Sequence, residues 1–107
     1  MAMGHHLDGR VTAVVGTHTH VPTSDTMILE NGTAYQTDAG MCGDYNSVIG
    51  TEKERFVSKF ATQDDKKVRL KPAMGEGTLC GVVIDTNPEN ILANRIDQIK
   101  LGGQIGL

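Results

Sequence analysis

Val11-Thr12-Ala13-Val14-Val15-Gly16-Thr17-His18-Thr19-His20 decides the fold: an apolar, β-prone run stops at a glycine and hands over to two histidines at alternate positions. Branched side chains are stiff at χ1 and favour an extended backbone, and a run without helical spacing needs cover on both faces, as a strand inside a sheet has. The strand is expected to end at Gly16. Beyond it, residues two apart in an extended segment project to one side, so His18 and His20 present two imidazoles together. Neutral imidazole ligates Zn, Mn, Fe, Ni or Cu, and the spacing does not choose among them. Thr17 and Thr19 are then candidates to hydrogen-bond an anion or to orient the rings. The competing reading is a pair of surface or core histidines bonded to backbone carbonyls. Position at the carboxyl end of a strand, where open α/β sheets place their sites, favours ligation.

Composition narrows the classes. The 107 residues make one domain at most, and an aromatic content of 4% without Trp leaves the core to Val, Ile, Leu, Met and Ala. A formal net charge of -3 lacks the basic footprint of nonspecific duplex binding, so no duplex nucleic acid partner is expected. No stretch approaches the ~20 apolar residues of a membrane span, and the amino terminus lacks the layout of a signal peptide. A soluble, cytoplasmic chain without a membrane partner is expected. Cys42 and Cys80 show no C-x-x-C spacing and read as two reduced, partly buried thiols. Neither G-x-x-x-x-G-K-[ST] nor G-x-G-x-x-G occurs, which excludes nucleotide binding through a P-loop.

Further along, Val21-Pro22-Thr23-Ser24-Asp25 reads as a loop, and Asn31-Gly32 between Thr26–Leu29 and Thr33–Thr37 predicts a hairpin. Asp38 to Ser47 reads as one long ordered loop, its glycines Gly40 and Gly43 allowing close backbone approach. Thr51 with Glu54 three residues later has the pattern of a capping box and predicts a short helix to about Phe60, with Phe56, Val57 and Phe60 on one face. Gln63 to Lys67 is a charged turn, and Val68-Arg69-Leu70 a short edge strand before Pro72. Thr78 to Asp85 is a clear strand, and Ile91 to Leu101 is expected to pair back on it as a hairpin, a helix being the weaker alternative. Residues 102–107 read as a flexible tail. His5 and His6 read as surface histidines rather than ligands. Asp25 and Asp38, each beside a strand end, are either ligands, partners of a histidine, or caps for nearby backbone N–H groups.

Three blocks carry a resemblance: Gly16-Thr17-His18-Thr19-His20-Val21-Pro22-Thr23-Ser24-Asp25, Gly32-Thr33-Ala34-Tyr35-Gln36-Thr37-Asp38-Ala39-Gly40-Met41, and Ser47-Val48-Ile49-Gly50. With Asp8-Gly9-Arg10-Val11 ahead of them and Leu79-Cys80-Gly81-Val82 behind, they resemble, in collinear order, the carboxy-terminal part of the YmdB-like metallophosphoesterases. The resemblance implies a strand-rich α/β fold: a partial α/β/β/α calcineurin-type sandwich, here a carboxy-terminal sheet with one short helix, residues 1–107 forming a single partial domain. It implies two divalent metal ions (Fe, Mn, Mg or Zn undistinguished), phosphodiesterase activity that includes 2′,3′-cyclic nucleotides, and a phosphodiester or nucleotide as the substrate partner. His18 and His20 match the family's metal-ligating G-T-H-T-H pair, and Thr17, Thr19, Asp38, Gly40 and Met41 fall where the pocket or the groups behind the ligands are expected. The sequence departs at Asp44-Tyr45-Asn46 and at His5-His6.

The family's other ligands, an early Asp, a Glu-Asn pair, an Asn-His pair and a further His, have no counterpart in this sequence. Two imidazoles without carboxylates leave metal charge unneutralised and both ions under-coordinated. The chain is therefore expected to be the carboxy-terminal part of such an enzyme, inactive alone and holding at most one weakly bound ion. The alternative is a noncatalytic metal-binding or self-associating module. Either way, strand edges that lack cover predict a homo-oligomer.

Overall fold

The computed structural model describes residues 1–63, 67 and 69–107. The opening run forms β1 (Ala13–Val15), followed by β2 (Met27–Ile28) and β3 (Ala34–Gln36) in a three-stranded sheet of order β1-β3-β2. β1 runs parallel to β3, with Val14 opposite Tyr35, and β2 runs antiparallel to it. The Asn-Gly hairpin forms as expected: Leu29 N–H donates to the Thr33 carbonyl at 2.8 Å, and Gly32 N–H to the Leu29 carbonyl at 2.9 Å. β1 ends at Val15, and Gly16 beyond it lies so close to the Thr37 carbonyl that a Cβ would be 2.2 Å from the oxygen. β1 is covered less than a continuous Val run implies: Ala13 and Val14 are half-buried and Val15 is exposed.

A second sheet, of order β4-β5-β6, consists of β4 (Gly43–Asp44), β5 (Gly77–Thr86) and β6 (Ala93–Leu101). β5 and β6 make the long antiparallel hairpin expected from Thr78–Leu101, in register from Leu79 opposite Leu101 to Asp85 opposite Arg95. The strand reading of Ile91–Leu101 is the one the structure adopts. β4 interrupts the expected loop Asp38–Ser47 with two strand residues. The sheets are stitched together where Ala93 N–H donates to the Gly32 carbonyl at 3.0 Å and Gln98 Nε2 to the Thr23 carbonyl at 3.0 Å. The architecture is thus mixed α/β and strand-rich, with two small sheets among the described residues where one was expected.

Among the described residues two helices flank them, one more than expected. α1 (Ala2–Leu7) carries His5 and His6, both exposed, and rests on the Tyr35 ring through Gly4. No apolar period marks six residues as a helix, so the sequence carries no signal for it. α2 (Lys53–Thr62) starts near the expected position and runs two residues further than expected. The capping box does not form: Glu52 is the N-cap residue and no side chain caps the helix. Thr51 instead donates its hydroxyl to the Val48 carbonyl at 2.7 Å, because residues 48–51 are committed to a tight turn. Of the expected turn and edge strand over 63–70, residues 64–66 and 68 lie outside the described residues. Pro72 forms an isolated bridge with Thr51. Beyond β6, Leu107 N–H donates to the Lys100 carbonyl at 3.0 Å, and Thr78 donates its hydroxyl to the Gly102 carbonyl at 2.9 Å.

The buried apolar set is small, Leu29, Ala34, Tyr35, Cys80 and Ala93, and the largest fully buried side chains are polar: Gln36, Thr33, Thr78 and Asp38. Among the described residues every buried side-chain N or O has a hydrogen-bond partner. The molecule is a slab of 55 × 28 × 18 Å with a radius of gyration of 17.4 Å, against roughly 13 Å for a compact chain of about this length. Cys42 is exposed and Cys80 buried, and both are free thiols. No helix is long and apolar enough to cross a membrane among the described residues.

Candidate functional site

Past Gly16 the chain turns over the carboxyl end of β1 and is tied to the strand beside it. Gly16 N–H donates to the Gln36 carbonyl at 3.1 Å, and Ala39 N–H returns to the Gly16 carbonyl at 2.9 Å. Asp38, which leaves β3 at the same end, is 1% exposed and folds its carboxylate under the histidine loop. Oδ2 accepts from the His18 N–H (2.8 Å), the Thr19 N–H (2.6 Å) and the Thr19 hydroxyl (2.7 Å), and Oδ1 accepts from the Gly40 N–H at 2.8 Å. Burial raises the Asp38 pKa, but the bonds from the Thr19 hydroxyl and from the Gly40, Thr19 and His18 N–H groups outweigh it and hold it at about 2. A carboxylate bonded on both oxygens is a fastening, with its lone pairs engaged by the loop it holds.

Asp25 does the same for the other side of the loop. Its Oδ1 accepts from the Thr23 hydroxyl at 2.6 Å and the Thr37 N–H at 3.1 Å, and Oδ2 accepts from the Thr37 hydroxyl. Burial raises its pKa, and the bonds from Thr23 and Thr37 bring it below the ordinary carboxylate range. Of the roles open to Asp25 and Asp38 in the sequence, the geometry displays the binding of nearby backbone N–H groups.

The histidines are exposed above this base, together with Thr17. His20 adopts a left-handed backbone with φ 68°, and its Nδ1 lies 2.9 Å from the Ile49 carbonyl. A carbonyl only accepts, so Nδ1 carries the hydrogen and Nε2 of the neutral ring keeps its lone pair. Thr17, His18, His20, Asp38, Gly40 and Met41 line one open cleft of about 360 Å³. The structure thus brings together all the residues expected at the site except Thr19, whose hydroxyl is turned inward to Asp38.

Sequence reasoning missed Tyr45 and Ile49. Tyr45 holds Met41 in the wall of the cleft: its hydroxyl accepts from the Met41 N–H at 3.0 Å and donates to the Met41 carbonyl at 2.9 Å. Burial first, then the neighbouring Cys80 thiol, pushes the Tyr45 pKa up to about 12, so the phenol stays protonated. Tyr45 acts on a backbone four positions away and Ile49, though inside the Ser47–Gly50 block, acts through a carbonyl on a residue 29 positions away; residue type and period record neither contact.

Two imidazoles suit two ligand positions, His20 especially, since a ring fixed by Nδ1–H to a carbonyl is the usual arrangement behind a metal-binding histidine. Among the described residues, however, no three His, Cys, Asp or Glu side chains come together in a metal-holding group. This donor set is too small for a pair of divalent ions.

Comparison with known proteins places these features in a family. The YmdB-like protein family matches residues 1–99. The chain is 46% identical over 101 residues to the 2′,3′-cyclic-nucleotide 2′-phosphodiesterase of Bacillus subtilis (strain 168), covering 94% of this chain and 38% of that protein. It is 36% identical to a putative phosphatase/phosphodiesterase of Mycoplasma genitalium, covering 88% of this chain and 33% of that protein. Two crystal structures superpose on it. One, a protein from Thermus thermophilus, has a TM-score of 0.86 at 39% identity and covers 97% of this chain and 40% of the other. A phosphatase from Mycoplasma pneumoniae has a TM-score of 0.85 at 32% identity and covers 94% of this chain and 36% of the other. The chain therefore spans between about a third and two fifths of the length of each of these relatives. With the family matched over residues 1–99 and the fold shared across nearly its whole length, the chain belongs to the YmdB-like protein family.

Proposed function

We propose that this chain is the carboxy-terminal part of a metal-dependent phosphodiesterase of the 2′,3′-cyclic-nucleotide type, and that it contributes His18 and His20 as ligands of a dinuclear site. The observation that carries this reading is the cleft itself. Its two imidazoles stand on a loop fastened from below by a fully bonded carboxylate, and one of them is already held by Nδ1. A metal pair in such enzymes supplies phosphate-oxygen binding and an activated water. This chain's own part is to hold two neutral nitrogens in place, to keep Asp38 from competing as a ligand, and to wall the substrate side with Thr17, Gly40 and Met41. The remaining ligands would come from the part of the relatives that these residues do not span, so the isolated chain is expected to be inactive.

A second reading, self-association as a homo-oligomer, is favoured by a specific observation: Phe60 is 88% exposed, Val57 57% exposed, and the nine-residue β6 lies at the edge of its sheet. Exposed apolar faces and long unpaired edges are what a second copy or a missing segment covers.

The deciding experiment measures metal content and hydrolysis of a 2′,3′-cyclic nucleotide and of a chromogenic phosphodiester. The purified chain is assayed alone and mixed with a separately produced amino-terminal portion of a relative. Silence alone with activity on mixing, lost in His18→Ala and His20→Ala, supports the proposal. No metal uptake and no hydrolysis in either setting, with light scattering showing an oligomer, supports the noncatalytic module.

A further inference from the structure

The block Ser47-Val48-Ile49-Gly50 marks a family resemblance, yet none of its side chains lines the histidine cleft. With Thr51 it forms a two-residue turn. Val48 N–H donates to the Thr51 carbonyl at 3.0 Å, Thr51 N–H to the Val48 carbonyl at 2.9 Å, and the two central residues have positive φ, 50° at Ile49 and 91° at Gly50. That geometry is a type I′ turn, whose first central position belongs to Asn, Asp or Gly. A β-branched residue there is a genuine outlier, because Cβ crowds the carbonyl oxygens. The side chain gains little in exchange, since Ile49 is 51% exposed.

The strained turn is held from outside. Ser47 Oγ accepts from the Gly50 N–H at 3.0 Å and donates to the Asp44 carbonyl, while the Asp44 carboxylate binds the Asn46 N–H (2.8 Å) and the Gly75 N–H (3.0 Å). Ala73 N–H donates to the Gly50 carbonyl at 2.9 Å. What this scaffold delivers is one atom, the Ile49 carbonyl oxygen, 2.9 Å from His20 Nδ1. His20 is itself left-handed, so two non-glycine residues in a sparsely populated conformation meet in a single hydrogen bond. Strain of this kind persists only where the surroundings over-determine it, and it gathers at functional sites.

We propose that the Ser47–Thr51 turn is a positioning element for His20: the Ile49 carbonyl, aimed by the left-handed backbone, fixes the Nδ1–H tautomer and reserves Nε2 for a ligand in the cleft. The inference rests on reading His20 as a site residue. It adds that the nitrogen offered is chosen by a turn 29 positions away in sequence.

Long-range ¹H–¹⁵N correlation spectra of the purified, metal-free protein read which ring nitrogen of His20 carries the proton, and Mn²⁺ titration reads affinity. The wild-type protein is expected to show a single Nδ1–H form. Ile49→Asn, which suits the same backbone, is expected to keep that form. Ile49→Pro, whose ring fixes φ near −65°, is expected to give mixed tautomers and a fall of about 10- to 100-fold in Mn²⁺ affinity. If Ile49→Pro does not fold, Ser47→Ala, which removes one hydroxyl clamp, is expected to show the same change in smaller measure. An Nε2–H form in the wild type, or an unchanged tautomer in a folded Ile49→Pro or Ser47→Ala protein, overturns the inference. Failure of the ligand reading shows separately, as a Mn²⁺ affinity that His20→Ala leaves unchanged while the tautomers shift as stated.

Discussion

The histidine loop Thr17–His20 and the apolar face of α2 are both solvent-exposed, yet they are held in place by opposite means. Thr17 to His20 are all exposed, and Asp38, Gln36 and the Ile49 carbonyl fix the loop through hydrogen bonds to backbone and ring atoms. The helix has the reverse: Val57 and Phe60 carry ample apolar surface, but no residue of α2 is buried and no side chain caps it. Directional bonds make the loop's geometry a property of this chain. Burial would make the helix's geometry a property of whatever covers it, since most helix stability in proteins comes from packing of an apolar face.

Removing Asp38 breaks the comparison most directly. Asp38→Ala leaves the His18, Thr19 and Gly40 N–H groups without their side-chain acceptor and leaves the Thr19 hydroxyl only the Val21 carbonyl, 3.1 Å away. Bonds to a charged group contribute about 1.5–3 kcal/mol each and are not additive, so a net loss of about 3 kcal/mol is expected by denaturant titration. Asp38→Asn, keeping one acceptor, should lose about half as much. A cost below about 1 kcal/mol for Asp38→Ala would mean that the loop is fixed by something else.

Acid acts on the same bonds. Asp38, Asp25 and Asp8 all have folded-state pKa values below the ordinary aspartate range; for each, burial raises the value and hydrogen bonds lower it further. For a depressed carboxylate the folded state binds fewer protons than the unfolded one, so its contribution is complete above the unfolded pKa, near 4, and is lost as pH falls towards the folded value. Stability should therefore be level with respect to these groups above about pH 5 and decline from there to about pH 2. In Asp38→Asn that decline should be shallower, which a series of thermal melts would read. An identical slope in the variant would assign the acid sensitivity elsewhere.

At α2 the expectation reverses. Val57→Ser and Phe60→Ser should change the stability of the chain by no more than about 0.5 kcal/mol, because these side chains have little burial to lose. They should shift sedimentation or light scattering towards the smaller species if the face is where copies meet. A stability loss as large as that of Asp38→Ala would show that α2 packs within this chain after all.

The same contrast governs how much was legible in the sequence. Val11–Val15, Asn31-Gly32 and Thr78–Leu101 announced their structure because strand and hairpin signals are local: side-chain branching, period and turn chemistry. The His18–His20 pair was legible for the same reason, standing at the end of one such strand. Its base was not. Asp38 lies 20 positions from His18 and Ile49 lies 29 from His20, and no periodicity records which carboxylate or carbonyl will lie under a loop. Cover was misjudged at Val15, where a Val-rich run implies burial on both faces that these residues alone do not provide.

Thr51 shows where a local signal loses to a neighbouring one, and it carries the smallest expected effect. Thr51-x-x-Glu54 has the form of a capping box, and losing a true cap costs about 1 kcal/mol together with helicity. In the structure Glu52 is the N-cap residue, and the Thr51 hydroxyl donates backwards to the Val48 carbonyl, inside the turn that presents Ile49. A hydroxyl that donates to the turn could still accept from a helix N–H, but with Glu52 as the N-cap residue no such bond forms here. Because the turn's φ values are already fixed by Ser47 and Asp44, the hydroxyl finds its acceptor there. Thr51→Ala should therefore leave far-UV circular dichroism unchanged and cost about 0.5–1 kcal/mol through the turn, the net worth of one hydrogen bond. Glu54→Ala should do neither. If Thr51→Ala instead reduces helical ellipticity, the hydroxyl caps α2 in solution and the turn stands on Ser47 alone; if it loosens the His20 tautomer, the turn and the histidine are one mechanical unit.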